Sequence, residues 1–283
     1  IPSELKNMHE KVLQELAAAS QKKSMLELFN VSAFSMCLGK AMGTPGWLIW
    51  KDSNRDGDQG VHRIPVAGNV TWGIALTGMA LHSHSSTDMV GCDHGCGAIV
   101  DTGTSLFAVP STIYDEIADI MEDLHRSSLS TSCQDLRRFP DLILEVEGTR
   151  LAFPPSAYVG RMHGQMSKQV ERFMRAPSYV NETERCHLLL MDLGTSKETT
   201  LGPMVIIGMP FFREYYTTFD LGTGCSNRSI FVSKADEGCH PKVEGALEQT
   251  SVRSEDAWKP REVDASKLRV PNWLVDRGVV ETF

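Results

Sequence analysis

The apolar positions of the chain fall mostly into short runs of strand length, and two stretches follow helical spacing instead. Leu5, Met8, Val12, Leu13 and Leu16 make one apolar face behind Pro2-Ser3, with Ser3 suited to an N-cap and Glu4 to the first turn. Ile113, Ile117, Ile120, Met121 and Leu124 form a second stripe after Pro110-Ser111-Thr112, expected to pack beneath the segment that precedes it. The strand-like runs begin with Leu28 to Leu38, which a Gly43–Gly46 turn joins to a hairpin partner at Trp47–Trp50. Val61–Val66, Thr71–Leu76 and Gly78–Leu81 continue as a meander, and Leu142–Phe153 reads as a hairpin turning at Glu147-Gly148. Cys186–Leu193, Val205–Gly208, Tyr215–Phe219 and Ser229–Val232 are further strands, so the pattern predicts a mainly β fold with a few short helices.

The polar stretches divide the rest. Asp52–Gly60 reads as a solvated loop; Asp52, Asn54, Asp56 and Asp58 lack the glycine and closing Glu of a calcium loop. Arg161–Glu184 is polar, Met-rich and aperiodic, which suggests a long surface excursion. From Asp236 onward the chain is charged and loop-like, with a late apolar patch at Val270–Val275. The expected division is therefore a leading helix and linker (1–27), a globular part (28–235) and an extension (236–283) that is disordered or laid on a surface.

One run is chemically unusual. Ala98-Ile99-Val100 drives straight into Asp101, followed by Thr102-Gly103-Thr104-Ser105. A desolvated carboxylate at the end of an apolar strand is costly unless hydrogen bonds hold it, and these neighbours offer hydroxyls and backbone N–H groups for that purpose.

Composition narrows the partners. With 283 residues, 41% of them hydrophobic, the chain can bury a sizeable core. A net charge of −8 makes nucleic acid and anionic membrane surfaces poor partners, and no apolar run approaches the length of a membrane span. The start at Ile1, with no signal peptide, suggests a processed or truncated chain. Seven cysteines leave thiol, metal and disulfide roles open, although Cys92, Cys96, His82, His84 and His94 follow no ordered zinc pattern, so no metal or other cofactor is expected. Four of the seven asparagines (Asn30, Asn69, Asn181 and Asn227) stand in glycosylation sequons. Together with the cysteines they favour an oxidising secretory compartment, whether vacuolar, lysosomal or extracellular.

At this length the string Ala98–Leu106 resembles the second active-site loop of pepsin-like aspartic proteases. Further segments are similar to that family: "FSMCLGK" with "GWLIW", the Cys92–Cys96 loop ahead of the strand, "FPDLILEVEGTRLAFPPSAYV", and "VIIGMPFFREYYTTFDLGTG" with "SIFV". The similarity runs from about Leu28 to Ala235 and implies half of a bilobal fold: a C-terminal lobe of antiparallel sheets with an active-site psi loop.

By that resemblance Asp101 is a catalytic aspartate, with Thr102 making a cross-lobe contact, Thr104 bonding the carboxylate and Gly103 leaving room for substrate and water. Ser105 completes the supporting loop. Ile99, Ile206, Ile207 and Gly208 would belong to the substrate cleft. The resemblance pairs Cys92 with Cys96 and Cys133 with Cys186; Cys225–Cys239 is a candidate bridge, which would leave Cys37 a buried thiol. Two departures stand out: Met209 where most relatives carry Asp, and Thr71 where many carry Tyr.

The chemistry implied is peptide hydrolysis through a water activated by two carboxylates. No second Asp-Thr-Gly or Asp-Ser-Gly occurs: Asp192-Leu193-Gly194 and Asp220-Leu221-Gly222 lack the hydroxyl. The expected reading is an aspartic endopeptidase acting on polypeptides, whose N-terminal lobe lies outside this chain. The alternatives are a non-catalytic relative serving as a binding module or subunit, and a homodimer in which each copy lends one Asp.

Overall fold

The computed structural model describes residues 25–276 apart from 41–42, 53–54, 56, 69, 127–132, 181–184, 196–197, 224–226 and 242–257. The helix expected over 3–16 lies outside the described residues. Four sheets carry the described fold.

The sheet that positions the site runs β14-β8-β16-β7-β4, with β15 (Glu198–Thr199) paired to β16. In chain order its strands are β4 (Gly73–Leu76), β7 (Cys96–Val100), β8 (Phe107–Val109), β14 (Leu190–Asp192) and β16 (Gly202–Ile207). The β7 and β8 strands are consecutive in the sequence, yet β16 lies between them, parallel to β7 and antiparallel to β8. The loop from Asp101 to Leu106 must therefore arch over the end of β16. This is the psi loop that the resemblance implies. Both faces of the sheet are buried. Ala98, Val100, Phe107, Val109, Val205 and Ile207 enter the main core, while Ile99, Leu106, Ala108, Met204 and Ile206 enter a second one. Side chains alternate at strand period, so covering both faces demands nearly unbroken apolar runs.

A five-stranded antiparallel sheet has the order β2-β1-β17-β18-β3: β1 is Ala33–Cys37, β2 Trp47–Trp50, β3 His62–Pro65, β17 Tyr215–Asp220 and β18 Ser229–Lys234. The first strand starts later than its apolar pattern suggests. Met25–Leu28 is a helical turn, and Asn30 at φ 53° turns the chain before Ala33. The third sheet, β10-β9-β5-β6, joins β5 (Gly78–His82) and β6 (Thr87–Gly91) to the hairpin β9 (Asp141–Val146) and β10 (Thr149–Phe153). That hairpin turns through Glu147 (φ 49°) and Gly148 (φ 76°), and two positive values are what a tight two-residue hairpin turn requires. The Ser111–Arg126 helix lies against β6 and β14, and its stripe joins the core that also holds Val100 and Phe107 at the two ends of the Asp101 loop; the Ile113 side chain fills the space over Gly91.

Two stretches are more integrated than their polarity suggests. In the fourth sheet, β11 (Val159–Gln165) pairs with β12 (Tyr179–Val180) and β13 (His187–Leu188), and the short helix Lys168–Glu171 follows it. Met162, Met166, Val170, Phe173, Met174 and Val180 are buried, so residues 161–180 are not a surface excursion; 181–184 lie outside the described residues. Strand, helix and turn succeed one another too quickly to leave a period, and flexible thioethers fill the irregular gaps. The extension then returns to this unit. Its strand β19 (Arg261–Asp264) pairs in parallel with β11, and Ala265, Leu268, Val270 and Leu274 are buried in the second core. The close pairing leaves no room for a side chain at Gly160, where a Cβ would stand 2.4 Å from the Arg261 carbonyl oxygen.

The disulfides are Cys92–Cys96, Cys133–Cys186 and Cys37–Cys239. The last replaces the Cys225–Cys239 bridge and the free Cys37 thiol suggested by the sequence. The return of β18 alongside β17 brings Cys239 onto the end of β1, with a Cα–Cα separation of 5.6 Å. Cys225 lies outside the described residues.

The start of the 52–60 loop is anchored rather than solvated. Asp52 accepts hydrogen bonds from Ser35, Tyr216 and Arg55. Burial alone would raise its carboxyl, but the Ser35 and Tyr216 hydroxyls and the Arg55 guanidinium outweigh it and hold it below 3.8. A depressed folded-state pKa means that ionised Asp52 stabilises the fold above its unfolded value, and that this contribution is lost as pH falls through the folded value. Asp52→Asn should therefore flatten the acid side of the stability profile, read by urea unfolding at pH 6 and pH 3. Equal acid sensitivity in the two proteins would contradict this.

Candidate active site

Asp101 stands where β7 ends. Its N–H donates to the Ile207 carbonyl at 3.0 Å, which ties the loop to the end of β16. The carboxylate is held from two sides. The Gly103 N–H donates to Oδ1 at 2.8 Å, and Thr104 Oγ1 donates to Oδ2 at 2.6 Å. Thr104 is fully buried, and its carbonyl accepts the Met209 N–H at 2.9 Å. The arch leaves no space above Gly208, where a Cβ would lie 2.0 Å from the Leu106 carbonyl oxygen and 2.6 Å from that of Thr104. Gly103 is crowded less severely: an added Cβ would stand 3.1 Å from Asp101 Oδ1.

Asp101 is half-buried, and Thr102 and Gly103 beside it are exposed. No cation among the described residues pairs with Asp101. Each of its oxygens accepts one fixed hydrogen bond, which orients the group and leaves acceptor capacity toward solvent. The arrangement can hold a water and draw a proton from it. Among the described residues no cluster of His, Cys, Asp or Glu is set to hold a metal ion.

The sequence matches the family model for eukaryotic aspartyl proteases over residues 19–228. The chain belongs to the eukaryotic aspartyl protease family. It is 31% identical to pepsin A of Bos taurus over 161 residues, which are 56% of this chain and 36% of that protein. It is 32% identical to pepsin A of Gallus gallus over 163 residues, 57% of this chain and 36% of that protein. Against human gastricsin it is 27% identical over 208 residues, 71% of this chain and 46% of that protein. The chain thus spans less than half the length of the curated aspartyl proteases it matches.

Within this aspartyl protease chain, three residues expected in a cleft are elsewhere. Ile99, Ile206 and Ile207 are 4%, 0% and 0% exposed, so they pack the two cores rather than face a substrate. Residues 162–180 and 265–274 cover the side of the sheet that carries Ile99 and Ile206. The other two Asp-Leu-Gly carboxylates are structural. Asp192 accepts from Ser111, the Gly194 N–H and Arg175. Burial would raise its carboxyl, but those donors and the Arg175 charge bring it down. Asp220, at the end of β17, accepts the Gly222 N–H.

Sequence reasoning missed the neighbour of Ser105. The Ser105 N–H donates to the Arg269 carbonyl at 3.1 Å, and the Arg269 N–H donates to Ser105 Oγ at 2.8 Å. The signal was available in Leu268-Arg269-Val270, whose apolar-polar-apolar alternation marks an extended segment with one buried face.

Proposed function

We propose that the chain is the C-terminal lobe of an aspartic endopeptidase, supplying through Asp101 one of the two carboxylates that activate a water against a peptide bond. The observation that carries this reading is the Asp101 carboxylate itself, fixed by Gly103 and Thr104, half-exposed, and paired with no cation among the described residues. Asp192, by contrast, is closed by an ion pair with Arg175.

The second carboxylate comes from a lobe outside this chain, with its own Asp-Thr-Gly or Asp-Ser-Gly and a covering flap. An exposed apolar edge supports the presence of a partner lobe. Trp47, Leu48, Ile49 and Trp50 on edge strand β2 are 55%, 45%, 38% and 52% exposed, the kind of patch that marks an interaction surface.

Two carboxylates about 3 Å apart share one proton. The ionised one takes a proton from water while the other protonates the substrate carbonyl, and the roles exchange for the departing amine. The substrate is a polypeptide. The three disulfides, with Asn30 and Asn227 exposed in their sequons, favour an oxidising secretory compartment. Asn69 and Asn181 lie outside the described residues. Asp101→Asn in the complete protein tests the proposal, since turnover should vanish while the fold persists.

A further inference from the structure

The extension meets the Asp101 loop at one residue. Through its paired hydrogen bonds with Ser105, the main chain of Arg269 is fixed against the loop. Leu268 and Val270 on either side are buried, so at strand alternation the Arg269 side chain points outward, and it is exposed. Its guanidinium does not swing freely. Nη1 donates to the Ser266 carbonyl at 2.9 Å and to the Leu268 carbonyl at 2.8 Å.

These carbonyls orient the cation, and among the described residues no carboxylate pairs with it. The nearest carboxylates along the segment are engaged elsewhere: Asp264 by Ser266 and Lys267, and Glu262 by Arg161. A fixed positive charge thus stands beside the catalytic loop of a chain whose net charge is −8. A polypeptide lying over Asp101 passes the exposed Thr102 and Gly103. If it continued past the loop on the Ser105 side, the residue bonded to Ser105 there, Arg269, would stand in its path.

We propose that the Arg261–Asp276 segment is one wall of the substrate groove, and that Arg269 makes this wall select polypeptides with an acidic side chain on the Ser105 side of the cut bond. The inference rests on the endopeptidase reading and specifies its substrate class. The overall negative charge would by itself favour basic peptides, so an acidic preference has the sign that only a local cation supplies.

The test uses the complete protein and matched peptides carrying Glu or Lys at successive positions on either side of the cut bond. At pH 5.5 one position on one side should favour Glu over Lys by about fivefold in kcat/KM, the scale of a solvent-exposed ion pair. That preference should fade as pH falls through about 4, where Glu is neutralised while Arg269 stays charged. Arg269→Gln should remove the preference, Arg269→Glu should invert it, and Arg269→Lys should keep most of it, with the changes falling on KM. All three variants leave the Leu268 and Val270 anchors and the Ser105 bonds in place.

An unchanged Glu preference in Arg269→Glu would overturn the proposal. So would an equal gain for every peptide, which would mean that the segment only obstructs the groove. Absence of cleavage by the unaltered complete protein would instead remove the peptidase reading, and this inference with it.

Discussion

Asp101→Asn in the complete two-lobed protein should lower kcat/KM for a peptide substrate by about 10²–10⁴-fold, the range associated with losing a positioned acid–base group. The amide has the size of the carboxylate, and its carbonyl can still accept the Gly103 N–H that reaches Oδ1 at 2.8 Å. The Thr104 hydroxyl can turn to accept from the amide nitrogen, since a hydroxyl both donates and accepts. Near-UV circular dichroism should therefore match the unaltered protein while steady-state kinetics show the loss. Activity within tenfold of the original would mean that Asp101 does not take part in the chemistry.

Leu268→Asp should destabilise the fold by roughly 3 kcal/mol or more, because it buries an unpaired charge where no partner stands. Leu268 is 3% exposed and packs into the second core, among side chains from the psi-loop sheet, the 161–184 region and the extension itself. Leu268→Ala, which only leaves a cavity, should cost about 2–5 kcal/mol. Urea unfolding of the three proteins at neutral pH measures both losses. A loss below about 1 kcal/mol for the Asp variant would show that the extension is an optional appendage, contrary to its pairing with β11.

The contrast between those two sites also shows what the sequence made legible. The psi loop could be read because its constraints are local: an apolar strand that ends in Asp, hydroxyls within three residues, and Gly103 where a side chain would crowd the carboxylate. The Glu147-Gly148 hairpin was legible for the same reason, with a turn fixed by its own two residues.

Features that depend on distant segments were not legible. Cys37 and Cys239 are 202 residues apart, and only the return of β18 beside β17, which itself pairs with β1, brings them together. The burial of Met162, Phe173 and Leu268 depends on the extension coming back to β11 in parallel; the Leu268-Arg269-Val270 alternation marks an extended segment but does not say what it packs against. Ile99, Ile206 and Ile207 look alike as sequence whether they face a cleft or a core. A second core on the far face of their sheet decided two of the three, and the main core took Ile207.

The central claim is that Asp101 is one half of a carboxylate pair whose other half this chain does not carry. The most direct measurement compares peptide cleavage at pH 3–5 by purified 1–283 with cleavage by the same chain joined to a lobe bearing a second Asp-Thr-Gly or Asp-Ser-Gly. The account predicts no turnover by the chain alone and pepstatin-sensitive turnover by the joined protein. Pepstatin-sensitive cleavage by 1–283 on its own, or an inactive joined protein that is correctly folded, would contradict it.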